Sequence, residues 1–252
     1  MKNFYRTDLA CEAPQNKKSE FNVILEEING ISTIFSISNH TGKTECITIY
    51  TGKCWQYEDD YSSTASYAVS RCLKIITEDQ KIKTEKILIV GLGNRKITSD
   101  SLGPSVIDLL FPTSHIDSNK KKIATLATGV EGQSGFSSFD LITSASSILH
   151  PDLIVAVDSL CSINIEWLST TIQLSASGIM PGSGVGNHKH EISKSTLGIP
   201  VIAIGVPTVT DLGSITDNET AVGYYVSPID IDLSVDSMAS IISDGIKKAY
   251  YK

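Results

Sequence analysis

The stretch Lys86-Ile-Leu-Ile-Val-Gly-Leu-Gly-Asn-Arg-Lys-Ile-Thr-Ser-Asp-Ser-Leu-Gly-Pro104 decides the fold, because a buried strand, a glycine turn and an acid follow one another in it. Residues 87–90 form an unbroken apolar run, which is typical of a strand covered on both faces in a parallel α/β sheet. Gly91 and Gly93 permit a sharp turn, and Asp100 precedes the next helix. Ligands and catalytic groups gather outside the carboxyl ends of such strands, so the stretch predicts a functional site at Asp100.

The glycine turn and Asp100 each have a second explanation. Gly91-Leu-Gly93 is followed by Lys96 where the dinucleotide-binding fingerprint has a third glycine, so NAD or FAD binding is not expected. Asp is a preferred N-cap residue, and Asp100 could cap the helix that begins near Leu102. Spacing alone leaves the catalytic and the capping interpretations of Asp100 open.

The composition bounds the class of protein. The chain has 252 residues and 41% hydrophobic content, which favours one large α/β domain over two small ones. A formal net charge of −7 argues against a general nucleic-acid-binding surface. The N-terminus lacks a signal-peptide core, and no apolar run approaches the ~18 residues of a membrane span. We therefore expect a cytoplasmic protein with neither a membrane nor a direct nucleic-acid partner.

Cysteine usage predicts reduced thiols. The number of cysteines is odd, their spacing is irregular and no C-x-x-C pair occurs, so neither a disulfide framework nor a zinc site is indicated. No cofactor or metal is expected. The five residues are Cys11, Cys46, Cys54, Cys72 and Cys161.

Periodicity predicts an antiparallel β meander followed by alternating strands and helices. The meander strands are expected at 21–26, 31–38 and 44–50, and an amphipathic helix at 61–77. From residue 87 onward, strand and helix alternate, which predicts a mostly parallel, helix-covered sheet. Its further strands are expected at 122–127, 152–157, 170–175 and 198–207, and its helices at 102–110 and 137–149. A closing helix that starts at Ser227-Pro228 buries Val235, Met238, Ile242, Ile246 and Ala249.

A second acid, Asp158, has the same setting as Asp100. Each follows a buried strand near the end of the sheet where crevices open, so the two carboxylates could face each other. Two close carboxylates do not both ionise cheaply, so one keeps a proton while the other can accept one from water, which suits hydrolysis. The alternative is that each acid caps a helix and that the two do not meet.

Other nucleophiles and bases are poorly placed in the sequence. His188 and His190 flank Lys189 in a glycine loop, where a solvated turn is the usual explanation and a metal pair is the alternative. No Gly-x-Ser-x-Gly elbow supports a serine triad. Cys161 lies near Asp158 but has no identifiable histidine partner.

These residues lie in sequence blocks that resemble the germination proteases of spore-forming bacteria, endopeptidases that degrade small acid-soluble spore proteins. The blocks occur in order over most of the chain and are together more specific than any single glycine motif. They are 6–10, 90–94, 100–104, 152–158, 170–173, 181–187, 197–208 and 227–230.

The resemblance implies an aspartic-type protease that works in the interior of the developing spore. Its catalytic acids map onto Asp100 and Asp158, and its α/β fold is expected to be similar to that of hydrogenase maturation proteases. Such enzymes are made as zymogens and cut after an acid and before a large apolar residue followed by Ala. Asp8-Leu9-Ala10 fits this rule, so residues 1–8 are expected to be a prosegment and residues 9–252 a single protease domain, with a homo-oligomer as the expected assembly.

The sequence also departs from the family pattern. The stretch between Thr208 and Ser227 is shortened, Ser137 replaces an expected acid, and Arg95 stands where an aromatic residue is common. These differences concern substrate preference more than the catalytic pair. For acidic substrate side chains we expect a positive patch drawn from Arg95, Lys189 and His188.

Two other functions remain open. One is a metal-dependent maturation peptidase with the same fold, which would need a histidine such as His188 or His190 near the site. The other is a catalytically silent spore protein that uses the scaffold for binding. Retention of both acids and a cleavable Asp8-Leu9 arm argue against the silent protein.

Overall fold

A single mixed sheet organises the part of the chain that the computed structural model describes, which comprises residues 21–57, 59–116, 121–182, 190–216 and 218–251. Nine strands form this sheet within those residues. They are β1 (Phe21–Ile28), β2 (Ile31–Ser38), β3 (Thr44–Tyr50), β4 (Lys86–Leu92), β5 (Lys122–Gly129), β6 (Leu153–Cys161), β7 (Thr171–Ser175), β8 (Val201–Asp211) and β9 (Tyr225–Val226). The α-helices are α1 (Asp59–Asp79), α2 (Leu102–Asp108), α3 (Glu131–Ser134), α4 (Ser138–Leu149), α5 (Lys194–Leu197), α6 (Leu212–Thr216) and α7 (Ile231–Tyr250).

The sheet has a parallel half and an antiparallel half. The strand order is β1-β2-β3-β7-β8-β6-β4-β5, and β9 pairs with β8. Strands β8, β6, β4 and β5 run parallel, whereas β1, β2, β3 and β7 pair antiparallel and β7 joins β8 antiparallel. The predicted α/β class is confirmed. The meander extends the main sheet through β7, because β3 bonds to β7 along five residue pairs.

Helices cover both faces of the parallel half. Ile87 and Ile89 of β4 pack into the core cluster that includes α1, α2 and α7, while Leu88 and Val90 pack into a second cluster with Ile142 of α4. This alternation follows from the period of two in a strand. The unbroken apolar run of β4 therefore reflects burial on both faces, as predicted.

The C-terminal helix buries the predicted stripe but begins later than predicted. Val235, Met238 and Ile242 are almost fully buried. The helix starts at Ile231 with Asp230 as its N-cap residue, so the expected start at Ser227-Pro228 was wrong. The indole Nε1 of Trp55 donates to Asp230 Oδ2 at 2.9 Å, which ties this start to the segment before α1.

Strand β6 also differs from its prediction, because it does not end at Asp158. Its pairing with β4 stops at Gly91↔Val157, but its pairing with β8 continues from Asp158↔Gly205 to Cys161↔Val209. The additional length comes from β8, an eleven-residue strand that offers partners beyond the end of β4. Asp158 is therefore a strand residue.

Two glycines allow α2 to lie directly on the ends of β4 and β6. A Cβ atom on Gly103 would lie 2.3 Å from the carbonyl oxygen of Leu92 and 2.5 Å from that of Val157. A Cβ on Gly91 would lie 2.3 Å from the carbonyl oxygen of Gly103. These contacts are between backbones, which cannot move aside as a side chain can. The turn before α2 is consequently held against β6.

We expect Gly103→Ala to lower the free energy of unfolding by about 3 kcal/mol, because the new methyl group overlaps backbone atoms of two strands. Gly132→Ala in α3 is the matched control, since nothing lies within 4 Å of its Cβ position. It should leave the stability within about 1 kcal/mol of the wild type. Urea denaturation measures both, and equal midpoints for the two variants would show that the close approach is not a constraint.

Candidate active site

A crevice opens between β4 and β6 at their carboxyl ends. Beyond Val157, the strand pairing of β6 within the described residues continues with β8 and no longer with β4. The chain leaves β4 through α2 toward β5 and returns through α4 to β6 on the other side of β4. Such a reversal of strand order is where α/β proteins place ligands.

Asp100 is held by the turn that follows β4. Its Oδ2 accepts a hydrogen bond from the Asn94 backbone N–H at 2.9 Å, and the same N–H reaches the Asp100 carbonyl oxygen at 2.8 Å. Gly93 has a φ of +106°, and a Cβ there would lie 2.2 Å from that carbonyl oxygen. The N-cap residue of α2 is Ser101, so the capping interpretation of Asp100 was wrong.

Asp158 is much more deeply buried, with 5% of its surface exposed. Its Oδ1 accepts from the Ser159 backbone N–H at 2.9 Å. The next helical turn along the chain, Ile165–Trp167, is capped by Asn164, whose side chain accepts from the Glu166 N–H. Asp158 therefore does not cap a helix either, and its capping interpretation was wrong.

Both acids line one cavity of about 380 Å³. Its lining comes from the ends of β4, β6 and β8, from the β5–α3 turn and from β9. Its wall also includes Leu92, Gly93, Ile97, Ser99, Gly129, Val130, Ser138, Ser159, Leu160, Cys161, Pro181, Gly182, Thr208, Val209 and Tyr225. A largely apolar cavity with two carboxylates in its lining suits a peptide that is positioned by its side chains and hydrolysed at its backbone.

Thr208 joins the two sides of this cavity. Its buried Oγ1 donates to the Ser99 carbonyl oxygen at 2.6 Å, which ties β8 to the turn that carries Asp100. The sequence interpretation missed this residue because the strand was expected to end at Pro207. The sequence did contain one indication of its importance, because Thr208 is the last residue of the family-like block 197–208.

Asp211 anchors the segment that brings Tyr225 to the cavity. Its buried carboxylate accepts from the backbone N–H groups of Gly213 and Gly223, each at 2.8 Å. The Asp211 backbone pairs with Tyr225 across β8 and β9. The Asp211 carboxylate therefore fastens described parts of the shortened stretch after Thr208 to each other, a role that the sequence analysis did not find.

The predicted substrate-binding cations are only partly described. The Arg95 guanidinium forms an ion pair with Asp108, in which Nη2 donates to Oδ1 at 3.0 Å, and this hydrogen bonding raises the pKa of Arg95. Arg95 does not line the cavity. His188 and Lys189 lie outside the described residues, and so do Asp8 and Leu9 of the predicted processing site.

The described cysteines are buried thiols. Burial raises the pKa of Cys54 to about 11 and that of Cys72 to about 12, so both are neutral near pH 7. Among the described residues, no group of three or more His, Cys, Asp or Glu side chains is placed to hold a metal ion. His190 is exposed with its ring 5.3 Å from that of Phe139, whereas His188 is not described, so the metal-dependent alternative stays open at His188.

The sequence profile of the family described as "Germination protease" matches residues 14–225. The chain belongs to the germination protease family. The expected family is thereby confirmed, and the matched range contains both Asp100 and Asp158.

Curated germination proteases are similar over different lengths. The protein of Clostridium acetobutylicum is 34% identical over 97% of this chain and 79% of its own length. That of Oceanobacillus iheyensis is 40% identical over 68% of this chain, and that of Bacillus licheniformis is 48% identical over 52%. The matched part of this chain spans 49% of the Oceanobacillus protein and 38% of the Bacillus protein.

One solved structure that matches part of the chain is the [NiFe] hydrogenase maturation protease HycI from Thermococcus kodakarensis KOD1. It has 16% sequence identity and a TM-score of 0.39, and the match covers 65% of this chain and 93% of that one.

In the described ranges, no helix is both long and apolar enough to cross a lipid bilayer.

We expect Thr208→Val to loosen the Asp100 turn, because the Ser99 carbonyl loses its buried donor. The free energy of unfolding should fall by about 1 kcal/mol, and amide hydrogen exchange at Asn94 and Asp100 should accelerate. Thr208→Ser keeps the hydroxyl and is the control that should restore slow exchange. If valine and serine variants exchange at the same rate, the Thr208 bond does not hold the turn.

Proposed function

We propose that this chain is an endopeptidase made as a zymogen, which cleaves small acid-soluble spore proteins inside the spore at germination. The observation that carries the proposal is the placement of Asp100 and Asp158 on one cavity in a member of the germination protease family. The acids stand on different elements, each fixed by a backbone N–H. This rigidity favours catalysis over simple helix capping.

The proposed reaction uses the two acids as a pair. Carboxyl groups that share a small cavity repel each other when both are ionised, so one retains a proton and the other accepts a proton from water. The water then attacks the scissile carbonyl, while the protonated carboxyl gives its proton to the carbonyl oxygen. As the C–N bond breaks, the carboxyl that took the proton from water donates it to the leaving nitrogen, and a hydroxyl of the tetrahedral intermediate returns a proton to the first carboxylate. Because such a pair titrates as a unit, the proton is assigned to the pair and not to one residue.

The proposed specificity is a cut after an acidic residue and before a large apolar residue followed by Ala. An acceptor for the acid is the proposed patch of Arg95, Lys189 and His188. Since Arg95 is already paired with Asp108, a substrate carboxylate would have to compete with that carboxylate. Both members of the ion pair are about half exposed, so solvent screening keeps the cost of exchange small.

We expect Asp100→Asn and Asp158→Asn each to lower kcat by about 10³-fold, because a carboxamide cannot accept the proton of the attacking water. The matched control is Asp236→Asn, an exposed acid on α7 that should retain wild-type turnover. Cleavage of a synthetic peptide with an acid-Leu-Ala sequence provides the rate, and circular dichroism checks the fold. Near-normal turnover by either cavity variant would remove that acid from the mechanism.

Loss of wild-type activity in EDTA, with recovery on adding metal, would favour the metal-dependent peptidase instead.

We expect processing between Asp8 and Leu9 to release activity. Asp8→Ala should block processing and leave a full-length, weakly active protein, since the acid before the cut is gone. A chain that begins at Leu9 should be active without maturation. The two proteins are compared by intact mass and by the rate of spore-protein digestion, and equal rates would show that residues 1–8 are not a prosegment.

A further inference from the structure

A second cavity, of about 550 Å³, lies beside the edge strand β5. We call it the β5–α4 groove, because β5 and the last turns of α4 form most of its wall. Its apolar lining includes Leu88, Ala124, Leu126, Ala145, Ile148 and Leu149. Ile148 is 83% exposed, and with these neighbours it belongs to one contiguous apolar patch.

The charge of the groove is opposite to that of the protein. Lys86, Lys122 and His115 line it, and none of its lining residues is Asp or Glu. The whole chain carries a net charge of −7, so this is a local basic region on an acidic protein. Lys86 is exposed, and Lys122 is held in place by donating from Nζ to the Ile116 carbonyl oxygen at 2.5 Å. Such a groove complements a segment that carries both apolar side chains and carboxylates.

The outer edge of β5 offers backbone hydrogen bonds. In the described part of the chain, β5 pairs only with β4. At Ile123 the outer edge is closed, because Thr113 and Ser114 donate their N–H groups to its carbonyl oxygen and Thr113 Oγ1 accepts from its N–H. The backbone N–H and C=O groups of successive strand residues point to opposite edges of the strand. Those of Thr125 and Ala127 therefore point to the same outer edge as those of Ile123.

The groove and the aspartate cavity lie along the same two elements. Strand β5 contributes Lys122 to the groove and Gly129 to the aspartate cavity, and α4 contributes Leu149 to the groove and Ser138 to the aspartate cavity. From Thr125 to Gly129 an extended chain covers roughly 13 Å. A peptide lying along β5 would thus arrive at the aspartate cavity within four or five residues.

We propose that the β5–α4 groove docks an extended segment of the polypeptide substrate, which adds to the edge of β5 and leads its neighbouring residues to Asp100 and Asp158. This inference rests on the proposed function. The segment carries an apolar side chain for the groove and a carboxylate for Lys86 and Lys122. A second copy of this chain is the poorer occupant, because a two-fold contact between identical grooves would place lysines against lysines.

The test compares a long and a short substrate. The long probe is a purified small acid-soluble spore protein, and the short probe is a peptide of about six residues, which reaches only about 10 Å on each side of its central bond. For each variant, kcat/KM on the spore protein is divided by kcat/KM on the peptide. Ile148→Asp and Lys86→Glu should each lower this ratio by about tenfold, because the KM for the spore protein rises. The controls are Leu25→Asp and Lys53→Glu, which should leave the ratio unchanged. Leu25 is an exposed residue of β1, at the other end of the strand order from β5, and Lys53 is an exposed residue far from β5 in sequence.

A binding measurement separates this proposal from the proposed function. With Asp158→Asn and the spore protein, amide hydrogen exchange at Thr125 and Ala127 should slow, since the added strand takes up the edge N–H groups. Unchanged exchange at both positions, or equal substrate ratios for groove and control variants, would overturn the docking site even if the enzyme is active. A lower oligomer mass of Ile148→Asp in light scattering would also overturn it, by assigning the groove to contact between copies. If the wild type cleaves neither probe, the proposed function fails, while the exchange result still decides the groove.

Discussion

The backbone contact between α2 and the ends of β4 and β6 is the constraint on which the site depends. Side chains at positions 91 and 103 would hold the helix away from the sheet, and Gly91 and Gly103 remove them. The turn before α2 is thereby brought beside β6. Asp100 is near the Asp158 cavity because two residues have no Cβ.

The second requirement is the unequal length of neighbouring strands. Strand β8 continues past the end of β4 and pairs with β6 there, so Asp158 is held in a ladder beyond the last residue pair of β4 and β6. A carboxylate on a strand is positioned more rigidly than one on a loop. Thr208 and Asp211 of the same strand then fasten the two loops that form the walls.

Much of this arrangement could be predicted from local patterns. The limits of β2 and β3, the α1 helix and the buried run of β4 follow from side-chain periodicity, which neighbouring residues determine. Both acids could be selected because each follows a buried apolar run that is recognisable in sequence. The extension of β6 could not be predicted, because it depends on pairing with residues more than forty positions away. The Thr208–Ser99 bond spans 109 positions, and the Arg95–Asp108 ion pair depends on how α2 is oriented, so neither has a signature in sequence spacing.

In the proposed function, the acid pair is a hydrolytic site that acts on spore protein. The most direct measurement is mass spectrometry of the fragments formed when the processed chain is incubated with a purified small acid-soluble spore protein, with and without EDTA. The account predicts the same few fragments in both samples, each newly formed C-terminus being an acidic residue and each new N-terminus a large apolar one. Intact spore protein, or fragments that require metal and end at unrelated residues, would contradict it.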